Sequence, residues 1–509
     1  VVVIPGGAVG GVKPHVTTFT GSGSSLTLTV ACPTAVSGVE CFVGTDDTAA
    51  IDAARDAWLA NFTQQGPSQK VLNTRLTFEF GKSYLYTGLS TEGGRLLTSP
   101  TNGTVDPLRN VMIDGGAGAG RFRTRFIWAS QQDVPASNQV GNLMVAANRL
   151  RGAMFRGIYF HSANANQSLY YGFCSNLNAG NIGGYGGSYT GQNDIHFRGI
   201  QLGGAWKRGF GTGGPVDHNQ NSEMVWTDCY ATDKTTFSEG LGVFGIDGAF
   251  EEQNQAVNHR WDNCHFEYRS GDTLVYKYGG CVTVNGGSWI LGINLPNTQA
   301  NVGAFFKMPT LSPLYDNTKH FQVNGTRFEA RTSGVQLIET KWYGNNSHIE
   351  FNNVTYANNV LESADEPEHK IATFENGYSA ATMGHIAFNN CQLPGYISYV
   401  HASGSMPTSG NFSFNQCNFK HWPTAPYGTT AAFLRPTSRA PRYRFTDCAT
   451  VAGQNNLTAV ASGTVELTDK AYALSPYYAA LAKRDTSPCR IVVVGDSITE
   501  GEGATAIGE

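Results

Sequence analysis

One short pattern of apolar and small positions recurs between about residues 113 and 448. It runs apolar, any residue, then Gly, Asn or Asp, then small or apolar. Copies begin at Ile113, Phe155, Phe197, Trp226, Trp261, Val284, Val323, Phe351, Phe388, Phe414 and Phe445. In ten of these eleven the third residue is Gly, Asn or Asp, and Gln416 is the exception. Such residues enter the left-handed backbone region at least cost, so each copy predicts a sharp bend that does not end the strand. Two residues past the quartet apolar side chains return, as at Phe160, Leu202, Phe266, Trp289, Phe328, Leu393 and Phe419. Alternation of period two thus resumes after the bend, and each unit reads strand, one-residue corner, strand.

Successive copies lie 23 to 42 residues apart, as if loops of variable length interrupted a coil of more constant length. Repetition of this kind predicts parallel strands in which each turn buries its inner face by stacking on its neighbours. An ordinary β-sandwich is the alternative, but a sandwich has no reason to repeat one corner eleven times. Cys229, Cys264, Cys391, Cys417 and Cys448 fall at the fourth quartet position, which predicts packed inward thiols. Cys32 and Cys41 lie close together in a loop-like stretch and read either as a bridge or as free thiols.

Ahead of the repeats, residues 43–62 place Ala49, Ile51, Ala54, Trp58 and Leu59 at helical spacing, with Thr45 or Asp46 able to cap the start. A single amphipathic helix here would close the end of the strand stack and shield its edge.

Composition sharpens the picture. The 509 residues include 61 Gly and only 15% charged residues, a balance that fits a turn-rich all-β chain. The net charge of −4, without a basic run, argues against nucleic acid as a partner. No apolar stretch approaches the roughly 20 residues that span a bilayer, so no membrane insertion is expected. The opening VVVIPGG lacks a basic region and an initiator Met, so it reads as the inside of a longer or processed chain rather than as a signal peptide.

Two stretches carry resemblances. DDTAAIDAA at 46–54, followed by LTFEFGKSYLYTG at 76–88, resembles the capping helix and first strand of the pectate-lyase-like superfamily, which includes phage tailspikes. With the repeats this likeness covers about residues 43–450. It implies an all-β fold, a right-handed parallel β-helix with a short N-terminal capping helix. Near the end, RIVVVGDSITEG resembles the first block of the SGNH (GDSL-type) hydrolases, in which Ser497 matches the nucleophile. The family's oxyanion-hole Gly and Asn and its Asp-x-x-His do not occur here, so an incomplete α/β domain is expected, with Ser497 inert in this chain.

These resemblances imply a β-rich N-terminal attachment segment (1–42), the β-helix (43–460), a linker or helix (461–488) and the start of the hydrolase (489–509). The pairing resembles phage minor tail proteins and implies a homotrimeric spike at the virion's tail tip, assembled in the host cytoplasm. Its expected partners are other phage tail proteins and a bacterial surface polysaccharide, which an esterase in the parent protein would deacylate. The alternative is a polysaccharide depolymerase of phage or secreted bacterial origin.

A depolymerase needs paired carboxylates. Loop-proximal candidates are Asp217, Asp247, Glu251, Glu252, Glu267 and Asp272. Glu267 in HFEYR and Glu329 in RFEAR hold equivalent places, each beside an aromatic and an Arg; Tyr268 belongs to the first set. The alternative is that each Glu is an exposed rung residue paired with its neighbouring Arg. Gly-rich 183–189 lacks the Lys of a phosphate loop, and Asp217-His218 reads as a turn. No His and Cys spacing fits a zinc site, and no metal or other cofactor is expected.

Overall fold

The computed structural model describes residues 1–11, 13–22, 25–64, 70–88, 96–98, 108–116, 124–130, 142–146, 150–163, 170–175, 192–212, 220–244, 255–276, 280–308, 319–332, 334–340, 347–358, 372–375, 382–393, 401–402, 409–419, 442–450 and 465–467. Ser497 with its strand, Asp217, Asp247, Glu251, Glu252 and the 183–189 stretch lie outside them.

Among the described residues the protein is nearly all β, with one helix, α1 (Thr48–Ala60). The chain visits three parallel ladders in rotation. The first holds the strands that lead into each corner, such as Leu150–Arg156, Gln192–Arg198, Cys281–Asn285 and Lys319–Asn324. The second holds those that leave it, such as Ile158–Ser162, His265–Tyr268, Ser288–Leu291 and Arg327–Ala330. The third includes Thr236–Phe244, Leu274–Tyr276, Gly303–Met308 and Val335–Thr340. Among the described residues the pairings between turns are parallel, with register shifts only between Trp206 and Arg208 and between Thr382 and His385, an arrangement compatible with a parallel β-helix.

The corners are where the quartets predict them. Gly157, Gly199, Asp228, Asn263, Gly286, Gly325, Asn353, Asn390, Gln416 and Asp447 all have φ between 49° and 68°. The first copy departs: the left-handed residue is Gly116, the fourth of its quartet, not Gly115. Asp114 explains the shift, because its carboxylate accepts the Gly116 N–H at 2.8 Å and draws the turn one residue on.

First-position aromatics stack inside the coil. Phe155, Phe197, Trp226 and Trp261 form one run, closing to 3.9 Å between the two Trp rings. Phe351, Phe388 and Phe414 form another at 4.9 and 5.1 Å. The five fourth-position cysteines are buried. Each thiol donates to the carbonyl of the first-position aromatic one turn back, for example Cys391 to Phe351 at 3.3 Å and Cys448 to Phe414 at 3.2 Å. Cys32 and Cys41 are free, and the Cys32 thiol donates instead to the Gly7 and Thr34 carbonyls.

Helix α1 covers the first turns as expected but presents a different face. Thr48, Ile51, Asp52, Arg55 and Trp58 are buried, whereas Ala49 and Ala54 are exposed. The ion pair Arg55–Asp52 (2.6 Å) goes inside because Tyr86 donates its hydroxyl to the same carboxylate at 2.8 Å. Asp46, rather than Thr45, accepts the Thr48 N–H.

The first residues are docked on the coils. Strands Val2–Ile4, His15–Thr17 and Phe42–Val43 form an antiparallel sheet. Val3 and Phe42 pack on Leu85, Ile127, Ala129 and Ala163 of the second ladder. His161 meets the Phe42 ring edge-on at 5.0 Å and shares a 2.8 Å hydrogen bond with the Tyr159 hydroxyl. Burial, then the nearby Arg125 and Lys234 charges, depress the His161 pKa to about 3.

Candidate functional site

The ends of the third-ladder strands open into a cleft of ≈ 430 Å³. Its wall carries Ser238, Ser270, Asp272, Asn301, Lys307, Gln336 and Glu339, and its apolar share is confined to Phe237 and Val302. The space exists because Gly271 and Gly303 follow one another on successive turns. A Cβ on Gly271 would meet the Phe237 carbonyl oxygen at 2.3 Å, and one on Gly303 the Gly271 oxygen at 2.4 Å. Both also have φ beyond 100°, which a side chain rarely permits. The lining spans four neighbouring strands, about 14 Å along the stack at the usual strand spacing.

Lys307 organises the charges. Its ammonium lies 3.1 Å from Asp272 and 3.3 Å from Glu339. These two contacts bound the separation of the bonded carboxylate oxygens at about 6.4 Å. Burial alone would lower the Lys307 pKa, but the two carboxylates hold it above its ordinary value. Parallel register sets Lys307 beside Glu339. Asp272 is fixed independently, since one oxygen accepts the Ala304 N–H at 2.9 Å and its own carbonyl accepts that of Leu241. Close by, Glu239 is bonded to buried Arg208 and lies 3.1 Å from Lys207.

The sequence candidates meet different fates. Asp272 lies in the cleft. Tyr268 lies behind it, wholly buried, where no sugar can stack on its ring. Its hydroxyl bonds Thr273 and donates to the Gly271 carbonyl at 3.2 Å, so it braces the cleft floor from inside. Glu267 is exposed on the second ladder. Glu329 occupies the same column two turns on, with Ile290 between them, about 10 Å away at the strand spacing. Glu329 is bonded by both Arg327 and Arg331, the pairing of the alternative reading, but it is fully buried where that reading expected it exposed. The structure therefore does not bring Glu267 and Glu329 together as a working pair. Lys307 and Glu339 escaped sequence reasoning because each is a lone charge in an apolar strand. Only the register of neighbouring turns makes them partners.

A second ordered feature is chemically simpler. His320, His348 and His385 stack on the outer face of the first ladder at 5.3 Å steps. Among the described residues no group of three or more His, Cys, Asp or Glu is placed to hold a metal ion. No family model matches the chain, and no curated protein matches it.

Proposed function

We propose that the chain is a right-handed parallel β-helix spike that recognises a bacterial cell-surface glycan through the Asp272–Lys307–Glu339 cleft. The observation that carries this reading is the cleft itself. It is a polar recess of hydroxyl, amide, carboxylate and ammonium groups on a stiff scaffold, and such a surface suits the hydroxyls of a sugar better than an apolar ligand. The rotation of three parallel ladders and the helix at their start support the spike architecture. In this reading the spike belongs to a phage tail, packs as a homotrimer with other tail proteins beside it, and precedes an SGNH esterase domain that begins at about residue 489 and carries Ser497.

The test is binding of the purified chain to surface polysaccharides extracted from a panel of bacteria, followed by calorimetry. Saturable binding that Asp272→Ala weakens at least tenfold is expected. Failure to bind any extract removes the reading. The trimer is tested apart from it by sedimentation equilibrium, with three times the chain's 54.7 kDa expected.

One observation favours depolymerisation as a second reading. Lys307 bridges Asp272 and Glu339, whose bonded oxygens are at most about 6.4 Å apart, a ceiling that admits the roughly 5–5.5 Å of retaining glycosidases. Chemistry weighs against it. Cleavage needs the scissile bond between the two carboxylates, and the Lys307 ammonium already bonds both of them there. Binding without cutting is the better-supported outcome. New reducing ends that appear with the native chain and disappear with Glu339→Gln would reverse that order.

A further inference from the structure

We infer that the cleft selects donor-rich sugar, neutral or amino-substituted, and rejects polyanionic glycans. The inference rests on the glycan-binding reading above and adds the chemical class of the ligand.

The argument is a count of donors and acceptors. An ammonium has three N–H donors, and Lys307 commits two of them to Asp272 and Glu339. An ionised carboxylate accepts through about four lone-pair sites and donates nothing. On Asp272, Lys307 and the Ala304 N–H account for two of them. The charged part of the wall is thus rich in acceptors and nearly spent in donors. Ser238, Ser270, Asn301 and Gln336 can act either way and do not alter the balance. The three ionised groups of the lining sum to one negative charge. The adjacent cations Lys207 and Arg208 are engaged with Glu239, and Arg208 is buried.

A sugar hydroxyl or ammonium brings the hydrogens that this wall lacks. A uronate or phosphate brings more acceptors and a like charge into a recess where screening is reduced. Lys307 acts as a positioning residue. It bonds both carboxylates from between them and so offsets their mutual repulsion.

The experiment is an array of bacterial glycans printed in three classes, neutral, amino-substituted and acidic, probed with the full chain at near-physiological salt. Signal is expected on neutral or amino-substituted glycans and at least tenfold less on acidic ones. Asp272→Asn and Glu339→Gln are then expected to weaken the best ligand at least tenfold and to narrow its margin over acidic glycans. Lys307→Met is expected to weaken it too, with the same class ranking. Circular dichroism and thermal melting check that each variant is folded. Acidic glycans that bind as well as the others overturn the inference and leave the glycan reading intact. A best ligand that Asp272→Asn and Glu339→Gln leave within twofold overturns the inference and also removes this cleft as the place where glycan binds. Absence of signal in every class sinks the glycan reading, and the inference with it.

Discussion

The early and late turns of the coil solve the same problem differently in a single column of the first ladder. In the early turns Asn110, Gly152, Asp194, Glu223 and Asn258 follow one another there, all left-handed with φ of 54° to 63°. Each early turn therefore bends twice, once at this column and once at the quartet corner. From Cys281 onward the column continues as His320, His348, His385 and Asn411, and none of these is left-handed. The strand runs straight, and its side chains stack outside instead. The column four residues further along the strand changes as well. Early on it carries an ion-pair clamp, where Arg156 and Arg75 hold the buried Asp114 carboxylate. Later it carries an amide ladder in which Asn285, Asn324, Asn352, Asn389 and Asn415 each donate to the residue one turn before, starting on Asp262. Bent turns use local backbone geometry and charge; straight turns use identical neighbours in register.

The sharpest way to separate these effects is to add one methyl at two similar corners. Gly157 (φ 68°) and Gly199 (φ 60°) share a conformation, but only Gly157 is crowded, since a Cβ there would meet the Gly116 oxygen at 2.1 Å. Gly157→Ala should cost about 3 kcal/mol and Gly199→Ala about 1 kcal/mol, read by urea unfolding. Equal losses would show that backbone strain alone sets the corner. Arg156→Met tests the early clamp. It leaves Asp114, only 2% exposed, with Arg75 as its remaining cation, and should cost about 2 kcal/mol. Asn352→Ala tests the late ladder by removing two amide bonds of 3.1 and 2.8 Å, for about 1.5 kcal/mol. If Arg156→Met proved milder than Asn352→Ala, the contrast between clamp and ladder would be inverted.

Acid should divide the halves further. With its folded pKa near 3, His161 stays neutral in the native state while the unfolded chain takes up a proton below about 6.5. Its contribution is present above pH ~6.5 and lost as pH falls toward 3, at about 1.4 kcal/mol per unit. By pH ~5.5 that is about 1.4 kcal/mol, and His161→Phe should flatten this part of the pH–stability curve. In the late half, burial and then His348 lower the His385 pKa while Glu350 opposes them, so His385→Asn should flatten the curve in the same direction and by less. A curve that neither substitution changes would remove both histidines from the account.

Much of the fold was legible because its requirements are local. A left-handed corner demands Gly, Asn or Asp whatever surrounds it, and the period-two return of apolar residues marks which way each strand faces. That Gln416 also adopts φ 53° shows the column overriding its weakest member. Helix α1 was legible as a helix but not in its buried face, because Asp52 and Arg55 go inside only when Tyr86 meets them. The second corner of the early turns went unread, since Glu223 has no local preference for a left-handed backbone. Of the cleft, only Asp272 stood out, as a carboxylate next to Gly in a loop.

The sequence by itself determined that strands of this chain bend at fixed, repeated residues and return their apolar faces inward, because bending and alternation depend on residue type. The tertiary structure alone decided which rungs lie side by side. That choice set Lys307 between Asp272 and Glu339 and turned scattered Asn and His residues into ladders. Such contacts join positions some 30 residues apart, and their energy exists only once parallel register has brought both partners to one face.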